Sequence, residues 1–203
     1  MTTQTTLALA AAALLLAACD TVTSPVPLGE KPAVIKAENW QGRWFNAEGH
    51  LDITVVDAGN GLVRIRYDDD GEQEEMDLEL RTANDWIFFN VTEQGFEESE
   101  GLASSPCSPA EIPKPNLPEC EEQPRGYMWG RIRHTDNALI SWSPRPEVFV
   151  RLVEQGLIPG TVEEGSVVLG PLSSEHYEII TSGSHGIVLD WENPMVLFRA
   201  KAE

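Results

Sequence analysis

Short runs in which apolar and polar residues alternate dominate the chain from residue 40 onward. In residues 50–56, Leu51, Ile53 and Val55 fall on one face, with polar or small residues between them. This period of two is typical of a strand with one buried face. Further strand candidates lie at 62–67, 76–80, 86–92, 127–134, 138–142 and 167–169. Because Asp, Asn and Gly residues separate the first runs, we expect a meander of antiparallel hairpins.

Two segments depart from this rhythm and predict short helices. Residues 145–155 begin with a proline in the first turn, and their apolar residues recur at helical spacing up to Gly156. Residues 173–182 predict a second, brief helix that ends at Gly183. The chain then predicts a closing hairpin of 187–191 with 195–199. Many strands and one or two short helices favour a mainly β fold, either a sandwich or an antiparallel barrel.

A specific barrel is suggested by the segment Trp-Gln-Gly-Arg-Trp-Phe-Asn-Ala at residues 40–47. It resembles the G-x-W opening strand of lipocalins, which implies an eight-stranded, antiparallel, up-and-down barrel. By that resemblance Gly42 lets the chain pack closely and Trp44 plugs one end of the barrel. Arg199 matches the arginine of the last strand that lies over this tryptophan. Thr135 and Asp136 resemble the first two residues of the T-D-Y sequence between two late lipocalin strands, with Asn137 in place of the tyrosine.

The N-terminus carries a short apolar run of Leu and Ala that ends in Leu16-Ala17-Ala18-Cys19. This sequence resembles the lipobox of bacterial lipoproteins, which implies cleavage before Cys19 and a diacylglyceryl lipid on its sulfur. The run is too short to span a bilayer permanently. Residues 1–6 contain no Lys or Arg, which indicates either a start codon assigned too late or an atypical leader. An ordinary secretory leader with an incidental Cys19 is the alternative. Asp20 resembles the residue that retains enterobacterial lipoproteins in the inner membrane. We therefore expect a lipid-anchored protein that faces the periplasm, and Asp20 favours the inner membrane.

The sequence divides into three parts. Residues 1–18 form the predicted lipoprotein signal peptide. Residues 19–38 contain Pro25, Pro27 and Pro32 among small polar residues, and this composition predicts a flexible tether. Residues 39–203 form the predicted barrel domain and include a proline-rich loop at about 94–125.

Cys107 and Cys120 flank the proline-rich part of that loop. The twelve residues between them contain four prolines and no periodic pattern, which excludes a regular helix or a central strand. An even pair of cysteines in an oxidising compartment favours a disulfide, which would stabilise the fold by roughly 3 kcal/mol. A redox pair or metal ligation are the alternatives, although the spacing is not C-x-x-C and no histidine lies between the cysteines.

The formal net charge of −19 is carried entirely after the leader, which has no ionisable side chain. Such an acidic chain repels nucleic acids and anionic lipid headgroups, so we expect neither as a direct partner. The charge is consistent with solubility in an aqueous compartment.

None of the chemistry-bearing groups forms a recognisable active site. The acidic run that begins at Asp68 and contains Gly71 suggests calcium, but an Asp-Gly hairpin turn explains it better. The four histidines lack the spacing of zinc ligands, and Ser184 lacks the G-x-S-x-G turn of a hydrolase. We therefore expect no catalytic residue, metal site or cofactor.

The tryptophans leave two hypotheses for function. Trp86, Trp129, Trp142 and Trp191 all lie in predicted strands, where they either line a ligand cavity or fill a core. The first hypothesis is a non-catalytic, lipid-anchored protein that binds a small hydrophobic or lipid ligand. The second is a structural lipoprotein with a solid barrel that docks onto another envelope component.

Overall fold

The computed structural model describes residues 20–47, 49–69, 72–92 and 126–200, which contain twelve strands and three helices. The strands are β1 (Val22–Ser24), β2 (Lys31–Pro32), β3 (Gly42–Phe45), β4 (His50–Asp57), β5 (Leu62–Asp69), β6 (Glu72–Ala83), β7 (Trp86–Thr92), β8 (Tyr127–His134), β9 (Ala138–Trp142), β10 (Gly160–Glu163), β11 (Ser166–Leu169) and β12 (Met195–Arg199). The helices are α1 (Ala37–Trp40), α2 (Pro146–Glu154) and α3 (Ser174–Ser182). Of these described helices, none has the length and apolar character needed to cross a bilayer.

Eight of the strands close into a barrel. From β3 to β9, each strand pairs antiparallel with the next. Strand β12 then pairs with both β9 and β3, which closes the ring. The predicted mainly β fold with an antiparallel up-and-down barrel is therefore confirmed, and it carries three short helices rather than one or two.

The alternating sequence pattern determines which side chains enter the barrel. Ile53 lies opposite Ile65, and Val55 opposite Val63, so that the apolar faces of β4 and β5 coincide. Trp44, Val63, Leu80 and Leu139 are each 0 or 1% exposed within this interior. Burying such side chains contributes about 25 cal/mol per Å² of apolar surface, which makes this register strongly preferred.

A second core lies outside the barrel wall. Strands β7, β8 and β9 present Phe88, Trp129 and Trp142 outward, where they pack against α2 and α3. Phe149 of α2 makes an edge contact with Trp129 at 5.5 Å, and Ile180 of α3 is fully buried. This second core explains why residues 86–92 are apolar on both faces.

The segment that supplies this cover is an insertion between β9 and β12, the last two strands of the barrel. It contains α2, the β10–β11 hairpin and α3. The predicted closing hairpin of 187–191 with 195–199 is wrong. Leu189 forms only an isolated bridge with Pro144, whereas β12 pairs with β9 and β3. The reason is that β12 completes the ladders of two barrel edges, which a local hairpin would leave unpaired.

Residues 20–38 belong to the folded domain, which corrects the expectation of a flexible tether. Strand β1 is buried and pairs with β8 and, in parallel, with β11. Leu28 is also buried, and its backbone N–H and C=O both bond to the side chain of Asn90, at 2.5 and 3.1 Å. The prolines of this segment gave it the composition of a linker, but Val22 and Leu28 are buried in the second core, and Ala33 and Ile35 pack with the barrel core.

Two predicted sites lie outside the described residues. These are the lipid attachment at Cys19 and the disulfide between Cys107 and Cys120. The leader at 1–18 and the proline-rich loop at about 94–125 also fall there. They remain predictions.

Candidate functional site

Trp44 lies at one end of the barrel, beside α1. Its ring is fully buried, and its indole N–H donates to the carbonyl of Trp40 in α1 at 2.8 Å. Arg199 lies in β12, with its guanidinium carbon 4.9 Å from the centre of the Trp44 ring. One Arg199 nitrogen donates to the carbonyl of Gln41 at 3.1 Å. These contacts join β3, the first strand of the barrel, to β12, its last strand, and to α1.

Gly42 begins β3 with a φ of 128°, a conformation that other residues rarely adopt. A side-chain carbon built there would meet no atom within 4 Å. The close packing that the lipocalin resemblance implied for this glycine is therefore absent, and its requirement is conformational. It lets the chain turn from α1 into the barrel wall.

His134 extends this end of the interior. It stacks on Trp40 at 5.8 Å and meets the edge of Trp44 at 6.3 Å. Burial lowers the pKa of His134, and the nearby Arg199 acts in the same direction, whereas a hydrogen bond to the Asn39 backbone opposes them. The imidazole is therefore held neutral at pH 7. Thr135 follows it and bonds to both backbone groups of Ala138, which closes the β8–β9 turn.

The opposite half of the interior is less completely buried. We call the inward side chains of Leu51, Ile65, Tyr67, Met76 and Met128 the mouth, because they lie toward the end that holds the β5–β6 turn. Their direction follows from the cross-strand pairs with interior residues and from the core that several of them pack against. All five are partly exposed, as are Val55 and Ile87 toward α1, whereas Trp44 and Leu80 near α1 have no exposed surface. The fully buried Trp44 ring thus plugs one end of the barrel, and the mouth keeps partly exposed apolar side chains at the other.

An apolar groove of about 800 Å³ lies outside the barrel where β3 meets β12. Phe45 and Phe198 face each other across these strands and are 41 and 56% exposed. Met195 and Pro194 extend the groove. The sequence analysis did not single out Phe45 and Phe198, because each occupies an outward position of a strand next to a buried residue.

Arg131 lies within a group of three tryptophans on the outer wall. Its guanidinium carbon is 4.0 Å from the ring centre of Trp86, 5.0 Å from Trp191 and 5.5 Å from Trp142. Of the tryptophans proposed to line a cavity, these three surround a cation and Trp129 fills the second core. None of the four faces the barrel interior.

In the acidic β5–β6 hairpin, two arginines of β5 pair with carboxylates of β6. Arg64 forms two hydrogen bonds with Asp77 at 2.7 and 2.9 Å, and Arg66 bonds to Glu75. Arg64 lowers the pKa of the Asp77 carboxyl, chiefly through these hydrogen bonds. The Asp77 carboxylate, which calcium ligation would require, is thus engaged with Arg64, and the Glu75 carboxylate with Arg66. Within the described ranges, no three acidic, histidine or cysteine side chains come together as metal ligands do.

The remaining histidines and Ser184 serve local structure where their contacts are defined. His50 packs against Phe45 at 5.8 Å. His176 accepts a hydrogen bond from the backbone of Ser173 and completes a capping box at the start of α3. The Ser184 hydroxyl bonds to that of Ser182 at 2.8 Å. His185 lies in the exposed loop that follows α3.

Comparison with known proteins gives no relative from which a function can be transferred. No protein-family model, curated protein or solved structure matches this chain.

Proposed function

We propose that this chain is a lipid-anchored, non-catalytic protein of the bacterial envelope whose lipocalin-like barrel binds a small hydrophobic or lipid ligand at its mouth. One observation carries this proposal: the Trp44 ring is fully buried at one end of the interior, while apolar side chains of the mouth remain partly exposed. Concave apolar surfaces that are open at one end are the usual sites for small hydrophobic molecules.

The chemistry of the mouth suits an apolar ligand of variable shape. Ile65 and Met76 lie opposite each other, as do Leu51 and Tyr67. Methionine adapts to irregular shapes because its side chain is unbranched and polarisable. Glu74 pairs with Tyr67 at the outer rim, where a polar group of the ligand meets carboxylate and hydroxyl. Covering exposed apolar surface contributes about 25 cal/mol per Å² to binding before the entropic costs.

The position of the predicted anchor supports access to lipid. Strand β1 begins at Val22, three residues after Cys19, and the backbone N–H of Thr21 already bonds to Ser166. A lipid on Cys19 would therefore hold the barrel directly at the membrane surface rather than on a long tether. We place the protein on the periplasmic side, with Asp20 favouring the inner membrane.

The groove at Phe45 and Phe198 favours a second candidate function, which is docking onto another envelope component. Two exposed phenylalanines side by side on a strand pair form the kind of apolar patch that partners cover. In this account the barrel is a scaffold and the mouth is empty of ligand.

A fluorescence titration with N-phenyl-1-naphthylamine, a neutral apolar probe, separates the two sites. We expect Ile65→Trp, which fills the mouth, to weaken probe binding at least tenfold. The control Val56→Trp introduces the same side chain at an exposed position of β4 and should leave binding unchanged. Weakening by Phe198→Ser, with Ile65→Trp unaffected, would move the binding site to the groove and overturn the mouth proposal.

A further inference from the structure

A recess of about 390 Å³ lies at the α1 end of the molecule, away from the mouth. Residues 34–40, the β6–β7 turn and the C-terminal part of β8 form its walls. Lys36, Arg131, Arg133 and His134 supply its basic groups, and Asp85 is the acidic residue among its lining. Its volume falls within the range of small-molecule sites, about 300–1,000 Å³.

The positive charge of this recess is exceptional for so acidic a chain. The net charge is −19, and Arg43, Arg64, Arg66 and Arg81 each form an ion pair with a carboxylate. In the part of the chain that the structure describes, Lys36, Arg131 and Arg133 form no such pair. Burial lowers the pKa of the Arg131 guanidinium, and the like charge of Arg133 lowers it further. Three cations thus line one recess without the carboxylate partner that these four arginines have and that Arg145 also has in Glu147.

Two buried polar atoms of the recess residues have no hydrogen-bond partner. They are Nε of Arg131 and Nε2 of His134. Buried polar groups are nearly always satisfied, so the unpaired Arg131 Nε–H indicates a missing hydrogen-bond acceptor beside this recess. A charged partner there would be recognised with unusual strength, because the surroundings are partly desolvated.

The recess also has apolar walls. Val34, which is 83% exposed, and the half-buried Ile87 line it beside the buried Ile35, Trp40 and Ile132. An inorganic ion would leave Val34 and Ile87 uncovered. A flat or short aliphatic group attached to the anion would cover them and gain from the hydrophobic effect.

We propose that this recess binds a small organic anion, with a carboxylate or similar group facing the arginines and an apolar part lying on Val34 and Ile87. The site is distinct from the mouth, and it does not depend on the function proposed above. Its recognition elements come from three separate parts of the chain, which the barrel brings together.

The test compares phenylacetate with phenylacetamide, which has nearly the same shape but no charge. The protein is residues 20–203, secreted from a cleavable leader, since every described strand and helix lies within it. Binding is followed by the amide and indole resonances of Trp40 and by calorimetry. We expect phenylacetate to shift these resonances and to bind at least tenfold more tightly than phenylacetamide.

Variants locate the site. Arg133→Gln and Lys36→Gln change exposed side chains and should each weaken phenylacetate at least fivefold. Arg151→Gln removes an exposed arginine of α2 outside the recess and should have no effect, as should Ile65→Trp in the mouth. Equal affinity for acid and amide, an equal loss with Arg151→Gln, or no binding of phenylacetate at 10 mM would overturn the proposal.

Discussion

Arg199 lies over the indole ring of Trp44 while donating a hydrogen bond to the backbone of Gln41. The two residues occupy the last and first strands of the barrel and pair directly in register. The contact therefore joins the seam at which the barrel closes. It also excludes solvent from the end of the interior opposite the mouth, because the Trp44 ring is fully buried beneath it.

Replacing Arg199 with methionine should weaken this closure. The variant keeps an apolar stem over Trp44 but loses the cation–π contact and the hydrogen bond, so we expect a loss of about 1–2 kcal/mol in the free energy of unfolding. Urea denaturation measures the change. Arg151→Met, on the exposed side of α2, is the matched control and should stay within about 0.5 kcal/mol of the parent. Equal stability of the two variants would show that the seam does not depend on Arg199.

Trp191 should matter for stability although it is 38% exposed. Its ring centre is 4.7 Å from that of Trp142, and it covers the Arg131 guanidinium. We expect Trp191→Ala to cost about 1–3 kcal/mol in the same urea assay, because aromatic packing and cation–π contact are both lost. Ile187→Ala, at 56% exposure in the same segment, should cost less than about 0.5 kcal/mol. The reverse order would contradict the role of the tryptophan group.

Strand β1 provides a direct test of where the domain begins. A chain that starts at residue 26 lacks the pairing of β1 with both β8 and β11 and the burial of Val22. We expect its urea midpoint to fall well below that of a chain starting at residue 20, by at least about 3 kcal/mol in unfolding free energy. An unchanged midpoint would restore the interpretation of residues 19–38 as a tether.

His134 should make stability depend on pH. Burial lowers its pKa in the folded protein, whereas in the unfolded chain the pKa keeps its ordinary value near 6.5. The unfolded state therefore binds the proton first as the pH falls, and stability decreases below about pH 6.5. Between pH 7.5 and 5.5, the parent should lose more unfolding free energy than His134→Gln. His185→Gln, in an exposed loop, is the control and should retain the parent's pH dependence.

The barrel strands could be predicted from the sequence because one face of each strand is mostly apolar and the other mostly polar. Leu51, Ile53 and Val55 alternate with polar residues, and β4 follows that pattern with its register fixed by the buried face. Trp44 was placed by resemblance rather than by alternation, since a four-residue strand is too short to show a period. Its burial and its contact with Arg199 required the three-dimensional structure.

The errors arose where local composition and long-range pairing disagreed. Proline content suggested a tether at 19–38, but the burial of Leu28 depends on Asn90, 62 residues away. Proximity in sequence suggested a hairpin for β12, but its partners are β3 and β9. The basic recess could not be predicted from the sequence either, because Lys36 and Arg133 are nearly a hundred residues apart and line one recess only in the folded barrel.

The most direct test of ligand binding is native mass spectrometry of residues 20–203 after secretion into the periplasm, followed by solvent extraction of co-purifying molecules. Our account predicts an adduct of hydrophobic or lipid mass that is lost on denaturation and absent from Ile65→Trp but retained by Val56→Trp. A protein that is bare in every preparation, or an adduct equally retained by Ile65→Trp, would contradict binding at the mouth.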